Sequence, residues 1–331
     1  MDSYRELEIE YAKHLEVERC VSVNTGTAAL HVALEALCLP KDSKVIVPDF
    51  TMYASALAVY YARLHPVFVD CDDDLLIDLD QVENLLSAHK DIRVLMVTHI
   101  YGRIVDMDRV MSIAKKYNLR VIEDACEAQG AHWNDQPVGS FDIGCFSLYR
   151  NKIIHAEEGG IVSSNDTEYM KIVEDMKSMS FGATHDYFHE RIGFNYRMTN
   201  SQASLALKSL QESKTNIHKR EKIKEIYNKL IDEKYHMPDN RQVVWVYDIK
   251  HPNADAVVRE LKSVGISARH SFKPMSIQPL FSEYVDKVGK NSKHHSEKVF
   301  YLHINISKKL DRITEECETA LEVLNKYKGE L

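Results

Sequence analysis

The sequence is short of the features that mark membrane, nucleic-acid-binding and disulfide-linked proteins. Across its 331 residues, no apolar run approaches the roughly 20 residues that a helix needs to cross a bilayer. Basic residues number 42 against 50 acidic ones, and they form no basic stripe of the kind that binds nucleic acid. The six cysteines form no CxxC pair, which favours free thiols in a reducing compartment. We therefore expect a cytoplasmic protein with neither a membrane nor a nucleic-acid partner.

Glycine-rich phosphate loops are missing as well. The chain contains neither a GxGxxG fingerprint nor a P-loop, and no metal site is expected. Internal repeats, low-complexity tracts and flexible Gly/Ser linkers are absent from the sequence too. What remains is an ordinary globular composition, with 44% apolar and 28% charged residues.

Strand-like and helix-like segments alternate through the first two thirds of the chain. Several strand candidates are continuous Val/Ile runs, as in a parallel sheet that is covered on both faces. The predicted strands are residues 20–23, 44–48, 66–70, 93–98, 120–123, 143–148 and 160–163. The predicted helices between them are residues 27–37, 51–61, 79–88, 106–117 and 166–179. This alternation predicts an α/β layer sandwich.

The pattern changes after Asn195. Residues 198–232 read as one long helix, rich in Ala, Leu, Lys and Glu, that could lead into a smaller domain. The remainder predicts strands at residues 242–249 and 266–272, a helix at 254–264 and a closing helix at 309–327. Without a flexible linker, the two parts should pack together.

A candidate phosphate site follows the first predicted strand. Gly26 allows a tight turn there, and a helix then begins with small residues. Exposed amides at a helix N-terminus suit a phosphate, and the hydroxyls of Thr25 and Thr27 could add hydrogen bonds. The alternative is a plain N-cap by either threonine, which is the commoner use of such residues.

An acidic pair closes the fifth predicted strand. Glu123 and Asp124 end an apolar run, so at least one of these carboxylates needs a partner. A carboxylate in this position could hold a protonated ring nitrogen, as pyridoxal-phosphate enzymes require. The alternative is a helix N-cap by Asp124.

A lysine near the end of the sixth predicted strand is the third candidate. Lys152 follows an apolar run, and desolvation there would let it lose its charge and form a Schiff base. An isolated lysine would more often reach towards solvent at the surface. The candidate phosphate site, the acid at a strand end and the lysine after a later strand occur in this order along the chain. Together they indicate a pyridoxal-phosphate site more strongly than any one of them does alone.

These motifs resemble the DegT-type sugar aminotransferases, which are fold-type-I pyridoxal-phosphate enzymes. The resemblance covers nearly the whole chain. The motifs that carry it are Thr25-Gly26-Thr27-Ala28-Ala29-Leu30, His99-Ile100-Tyr101-Gly102, Glu123-Asp124-Ala125, Phe146-Ser147 with Lys152, Glu158-Gly159-Gly160, and the run from Gly193 to Asn200. The resemblance implies a three-layer α/β/α sandwich around a mostly parallel seven-stranded sheet. It also implies a large cofactor-binding domain at residues 1–215 and a smaller α+β domain at 216–331.

The resemblance implies roles around the cofactor ring. Lys152 would bind pyridoxal 5'-phosphate as a Schiff base and later move protons, and Asp124 would pair with the pyridine nitrogen. Glu127 would support the side of the ring that carries the hydroxyl. The family usually stacks an aromatic side chain on the ring, but the matching residue here is Met52, whose thioether can cover an aromatic face.

Further roles concern the phosphate and the subunit contact. The amides of Gly26 and Thr27, with Ser147, would hold the phosphate. Asn195 would reach the phosphate of the neighbouring subunit, so the resemblance implies a homodimer with shared active sites.

Substrate contacts are the least defined part of the resemblance. The family's short polar loop after the lysine is replaced by residues 153–157, which read Ile-Ile-His-Ala-Glu. His155 and Tyr53 are the candidate substrate residues, although a surface position explains His155 equally well.

The implied reaction moves an amino group from glutamate to a nucleotide-linked keto-6-deoxy sugar at its 4-keto position. A sugar 3-dehydratase would carry histidine at the position of Lys152, so the lysine argues against that alternative. A cyclitol or another keto-sugar as acceptor stays open, as does a catalytically silent regulatory member of the family.

Overall fold

A seven-stranded sheet forms the centre of the computed structural model, which describes residues 2–182, 187–284 and 288–327. Its strands are β1 (Arg19–Val23), β2 (Lys44–Pro48), β3 (His65–Val69), β4 (Ile92–Thr98), β5 (Arg120–Asp124), β8 (Ile143–Ser147) and β9 (Gly160–Ser164). Their order is β1-β9-β8-β5-β4-β2-β3. Only β9 runs antiparallel to its neighbours, β1 and β8. The prediction of a mostly parallel seven-stranded sheet is confirmed, with every strand within one residue of its predicted bounds.

Helices cover both faces of this sheet. They are α1 (Ser3–Leu15), α2 (Gly26–Glu35), α3 (Tyr53–Tyr61), α4 (Leu79–Ala88), α5 (Met107–Tyr117) and α6 (Thr167–Lys177). Alternate residues of β4 point to opposite cores: Val94 and Met96 pack with α2 and α3, whereas Leu95 and Val97 pack with α4 and α5. This two-sided burial explains the continuous apolar strands and confirms the three-layer α/β/α sandwich.

Aspartate caps set where three of these helices begin. The carboxylates of Asp78, Asp106 and Asp166 accept hydrogen bonds from amides in the first turns of α4, α5 and α6. The helices start directly after these residues, so the caps were readable in the sequence.

The predicted single helix at residues 198–232 is wrong. The structure has two helices, α7 (Asn200–Gln211) and α8 (Ser213–Leu230), which meet at Glu212. They bury their apolar residues in different cores: α7 packs with α1, and α8 packs with the C-terminal sheet and its closing helix. A change of packing partner leaves no mark in the helical composition, so the sequence could not show it.

The C-terminal part is built on a smaller antiparallel sheet. Its strands β10 (Val246–Lys250), β12 (Val299–His303) and β11 (Ala268–His270) lie in that order, with α9 (Ala254–Ser263) and α11 (Leu310–Lys326) packed against them. The predictions missed β12, α10 (Lys290–Lys298) and a ribbon of β6 (His132–Trp133) and β7 (Gln136–Pro137). The domain boundary between residues 215 and 216 stays a prediction. No helix in the described part of the chain is long and apolar enough to cross a membrane.

Candidate active site

Parallel strands β4, β5 and β8 end at the same edge of the central sheet, and the candidate residues gather there. Asp124 ends β5, Ser147 ends β8, and Lys152 lies in the connection from β8 to β9. Burial raises the pKa of Glu127, the positive charge of Lys152 opposes that rise and the charge of Asp124 adds to it, so the three groups interact electrostatically. The structure therefore brings together groups that are up to 28 positions apart in the sequence.

Asp124 is a buried carboxylate that neutral donors hold in place. Its Oδ2 accepts a hydrogen bond of 2.7 Å from the Ser55 hydroxyl, and its Oδ1 accepts one of 3.2 Å from the Cys126 amide. The Thr51 hydroxyl lies 3.1 Å from that of Ser55 and 3.0 Å from that of Thr98. Among the described residues no cationic side chain lies within 4 Å of this carboxylate. Its charge is thus free to pair with a cationic ligand atom.

The backbone around Lys152 is a tight loop that closes on itself. The Lys152 amide donates to the Tyr149 carbonyl at 2.8 Å, and the Ala156 amide donates to the Leu148 carbonyl at 2.7 Å. Buried Gln129 fixes the loop by donating to the Ser147 and Ile154 carbonyls and accepting from the Ile154 amide. Gln129 was missed because one glutamine in a helical-looking run has no distinguishing mark in the sequence.

The side chain of Lys152 is 8% exposed, and its Nζ lies 3.6 Å from the centre of the Trp245 ring. No carboxylate of the described residues lies within 4 Å of this nitrogen. Burial without an ion pair is unusual for a lysine and typical of a reactive one. The surface alternative for Lys152 is therefore wrong. Trp245 belongs to the C-terminal part, and no sequence motif pointed to it.

The N-terminus of α2 forms a narrow cradle against the ends of β8 and β9. Thr25 caps the helix by accepting from the Ala28 amide at 3.0 Å, so the cap expected as an alternative is present. A Cβ on Gly26 would lie 2.7 Å from the Ser147 Cβ, and one on Gly160 would lie 2.3 Å from the Thr25 carbonyl oxygen. Only glycine fits these positions, which leaves first-turn amides of α2 and the Ser147 hydroxyl together. This cradle fits a phosphate.

Glu127 lies in the same buried region. Its Oε2 accepts a 3.0 Å hydrogen bond from the Tyr101 amide, and Tyr101 adopts a left-handed conformation with a φ of 54°. Burial raises the pKa of Glu127 to about 7, although Lys152 opposes the rise. A carboxyl group with such a pKa can hold or release a proton near neutral pH.

We expect this raised pKa to make the stability of the cofactor-free protein depend on pH. Between pH 4.5 and 7, the folded protein binds more protons at Glu127 than the unfolded chain does. The contribution of protonated Glu127 to the free energy of unfolding is complete below pH 4.5, and it is lost as the pH rises through 7. Denaturant unfolding should show the stability of the native protein falling by about 2–3 kcal/mol relative to Glu127→Gln between pH 5 and 8. A constant difference between the two proteins would contradict the assignment.

Two further predicted cofactor residues lie at the surface. Met52, at the N-terminus of α3, is 50% exposed, which leaves its thioether available to cover a ring. Asn195 is exposed, and its carbonyl accepts from the Asn24 side chain at 3.5 Å. Thr27 lies in the first turn of α2, next to Gly26. Their roles stay predictions.

The two candidate substrate residues face different surroundings. Tyr53 packs its ring against Phe281 at 5.7 Å between centroids. His155 is half-buried, its amide donates to the Ser209 hydroxyl at 2.9 Å, and burial lowers its pKa. Neither placement gives a direct sign of substrate contact, so both roles stay predictions.

A buried lysine, a strand-end carboxylate and a glycine-lined helix N-terminus on an α/β sheet together define a pyridoxal-phosphate site. Residues 2–319 match the DegT/DnrJ/EryC1/StrS aminotransferase family. The chain belongs to this family and is a pyridoxal-phosphate-dependent aminotransferase.

The relatives add detail to this assignment. The chain is 34% identical over 291 residues to GDP-perosamine synthase of Caulobacter vibrioides, covering 84% of this chain and 78% of the relative. The motifs at 123–127, 151–152 and 195–200 predict a resemblance to GDP-perosamine synthase, and the similarity over most of both chains confirms that resemblance. The chain is also 39% identical over 202 residues to a UDP-N-acetyl-3-dehydro-alpha-D-glucosamine 3-aminotransferase of Acidithiobacillus ferrooxidans, covering 60% and 54% of the two chains.

Solved structures agree on the fold. PseC of Helicobacter pylori, an aminotransferase involved in the biosynthesis of pseudoaminic acid, superposes with a TM-score of 0.92 at 20% identity. The match covers 99% of this chain and 92% of PseC. At this identity, the likeness shows the fold alone.

Proposed function

We propose that the protein transfers an amino group from glutamate to a nucleotide-linked keto-6-deoxy sugar, at the 4-keto position. The observation that carries this proposal is the similarity to GDP-perosamine synthase across most of both chains. The site supports it, because Lys152, Asp124 and the Gly26 cradle supply the groups that transamination requires.

Pyridoxal phosphate, when bound, supplies an electron sink for a carbanion formed next to its linked nitrogen. Lys152 would hold the cofactor through its side-chain nitrogen, which would also move a proton during the reaction. Asp124 would supply the negative charge that favours a protonated pyridine nitrogen. The amides of Gly26 and Thr27, with the Ser147 hydroxyl, hold the phosphate.

The altered loop after Lys152 contributes mainly to packing. Ile153 and Ile154 are almost fully buried and lie in the core that α1 and α7 share, together with Ala156. In the same segment His155 is half-buried and Glu157 is exposed. We therefore assign the unusual sequence of this loop chiefly to the core and leave the choice of sugar to other residues.

A homodimer with shared active sites is part of the proposal. Asn195 is exposed on the segment that follows α6, where its side chain is available to a second subunit. We also place the protein in the cytoplasm, where nucleotide sugars and glutamate are both present.

The absorption spectrum tests the first half of this reaction. The purified protein should absorb in the visible range when loaded with pyridoxal phosphate, and glutamate should bleach that band. Nucleotide-linked 4-keto-6-deoxy sugars should then restore the band, and the aminated product can be identified by NMR. A loaded protein that no amino donor bleaches would overturn the proposal and favour a silent regulatory member.

Amination at C3 is the second candidate. It is favoured by the similarity to the 3-aminotransferase of Acidithiobacillus ferrooxidans, whose name gives a UDP-linked sugar. That similarity has a higher identity than the one to GDP-perosamine synthase, but it covers less of both chains. Presenting matched 3-keto and 4-keto sugars on GDP, UDP and dTDP separates the two positions. Cyclitol ketones belong in the same screen.

A further inference from the structure

We propose that the ring of Trp245 is the resting place of the Lys152 ammonium whenever that lysine is not linked to the cofactor. Trp245 is then a positioning residue, which keeps the released lysine beside the reacting atoms. This inference rests on the proposed transamination, because that reaction would release Lys152 from the cofactor and later recapture it.

The contact between Lys152 and Trp245 is close, and both residues are largely buried. The Lys152 Nζ lies 3.6 Å from the centroid of the Trp245 ring, well inside the about 6 Å range of cation–π attraction. Lys152 is 8% exposed and Trp245 is 6% exposed, so little water competes for the ammonium. Desolvation strengthens such a contact, and tryptophan is the best of the aromatic rings for it.

The ring is fixed to the same loop that carries the lysine. The Trp245 Nε1–H donates to the Asn151 carbonyl at 3.1 Å, one residue before Lys152. Buried Arg220 donates to the carbonyl of Trp245 at 2.8 Å and to that of Asn151 at 3.4 Å. Hydrogen bonds therefore tie the indole to the backbone next to Lys152.

Two tyrosine rings pack against the indole of Trp245. Tyr101 and Tyr301 pack on Trp245 with centroid distances of 6.0 and 6.1 Å. The same Tyr101 donates its amide to Glu127. The position of the indole thus depends on the C-terminal sheet and on the loop that supports Glu127.

Among the described residues, no carboxylate lies within 4 Å of Lys152 Nζ to compete with the ring, whose centroid is 3.6 Å away. Glu127 and Asp124 lie farther than 4 Å from Lys152 Nζ, and each already accepts hydrogen bonds from other residues. A ring face attracts the ammonium without forming a salt bridge that would have to break during catalysis. This arrangement keeps the lysine close and leaves its proton available for transfer.

Ring-current shifts test the contact in the cofactor-free protein, independently of any substrate. In protein labelled with carbon-13 at lysine Cε, the Lys152 resonance is assigned by its loss in Lys152→Met. It should be shifted upfield in the native protein, partly shifted in Trp245→Phe and unshifted in Trp245→Leu. Trp133→Phe, which changes the only other tryptophan, should leave it in place. An unshifted Lys152 resonance in the native protein would overturn the proposal.

Kinetic measurements test whether Trp245 positions Lys152 for proton transfer. With glutamate deuterated at its α-carbon, Trp245→Leu should slow bleaching about tenfold and increase the deuterium isotope effect, because proton transfer becomes slower. KM for glutamate should change little, and Trp245→Phe should recover most of the rate. An unchanged isotope effect in Trp245→Leu would reject the positioning role. If glutamate fails to bleach the native protein, the proposed function is wrong, and the ring-current result still decides the contact.

Discussion

Replacing Lys152 by alanine should reduce transamination by at least about 10⁴-fold, because one side chain supplies both the covalent link and the proton carrier. The change should remove the visible band of the linked cofactor. The phosphate cradle of Gly26 and Ser147 is untouched, so pyridoxal phosphate should still bind without a covalent bond. Stopped-flow absorbance with glutamate measures the loss, and borohydride reduction followed by mass spectrometry measures the link.

A matched control separates chemistry from folding. Lys171 lies in α6 with a 62% exposed side chain, and it pairs with Glu168 at 2.6 Å. The Lys171→Ala variant should keep the visible absorption band of the linked cofactor and the native rate of transamination. Methylamine should partly restore bleaching in Lys152→Ala, since the truncated side chain leaves room for a small amine. Turnover of Lys152→Ala within tenfold of the native rate would exclude Lys152 as the catalytic lysine.

The central sheet was predictable because its strands are buried on both faces. Runs such as residues 44–48 carry their own signal, because they are mostly apolar without alternation. In the C-terminal part, β12 (Val299–His303) was missed because it follows directly on α10, with no turn residue between them. Helix α10 itself, Lys-Asn-Ser-Lys-His-His-Ser-Glu-Lys, has no apolar stripe for periodicity to detect.

The candidate site likewise contains residues that the sequence could predict and a residue, Trp245, that it could not. Gly26, Asp124 and Lys152 each follow a predicted strand and Ser147 lies near the end of one, so the rule for parallel sheets placed them at one edge. Trp245 directly precedes β10, and its indole donates a hydrogen bond to a residue 94 positions away. No local pattern encodes a contact of that kind, because it depends on how the C-terminal sheet packs on the lysine loop.

Asp124→Asn should lower the rate of bleaching by about 10²–10³-fold while leaving the fold intact. The amide keeps the size of the carboxylate and can accept from Ser55 Oγ as Oδ2 does at 2.7 Å. It carries no negative charge, so it cannot hold a proton on the pyridine nitrogen. The linked cofactor should form and glutamate should bind, but removal of the α-proton should become slow. Stopped-flow rates with ordinary and α-deuterated glutamate measure this step.

Ser55→Ala is the matched control, because it removes the hydroxyl donor and keeps the carboxylate. Loss of one hydrogen bond to a charged acceptor should cost about 1.5–3 kcal/mol of stability or positioning at most, so its rate should stay well above that of Asp124→Asn. The order of the two variants decides which property matters. If Ser55→Ala is the slower, orientation of Asp124 dominates; if Asp124→Asn is the slower, its charge does. Among the described residues no cationic side chain lies within 4 Å of the Asp124 carboxylate, which accepts only from neutral donors, so a cationic ligand atom would be its charge partner and we expect the charge to dominate.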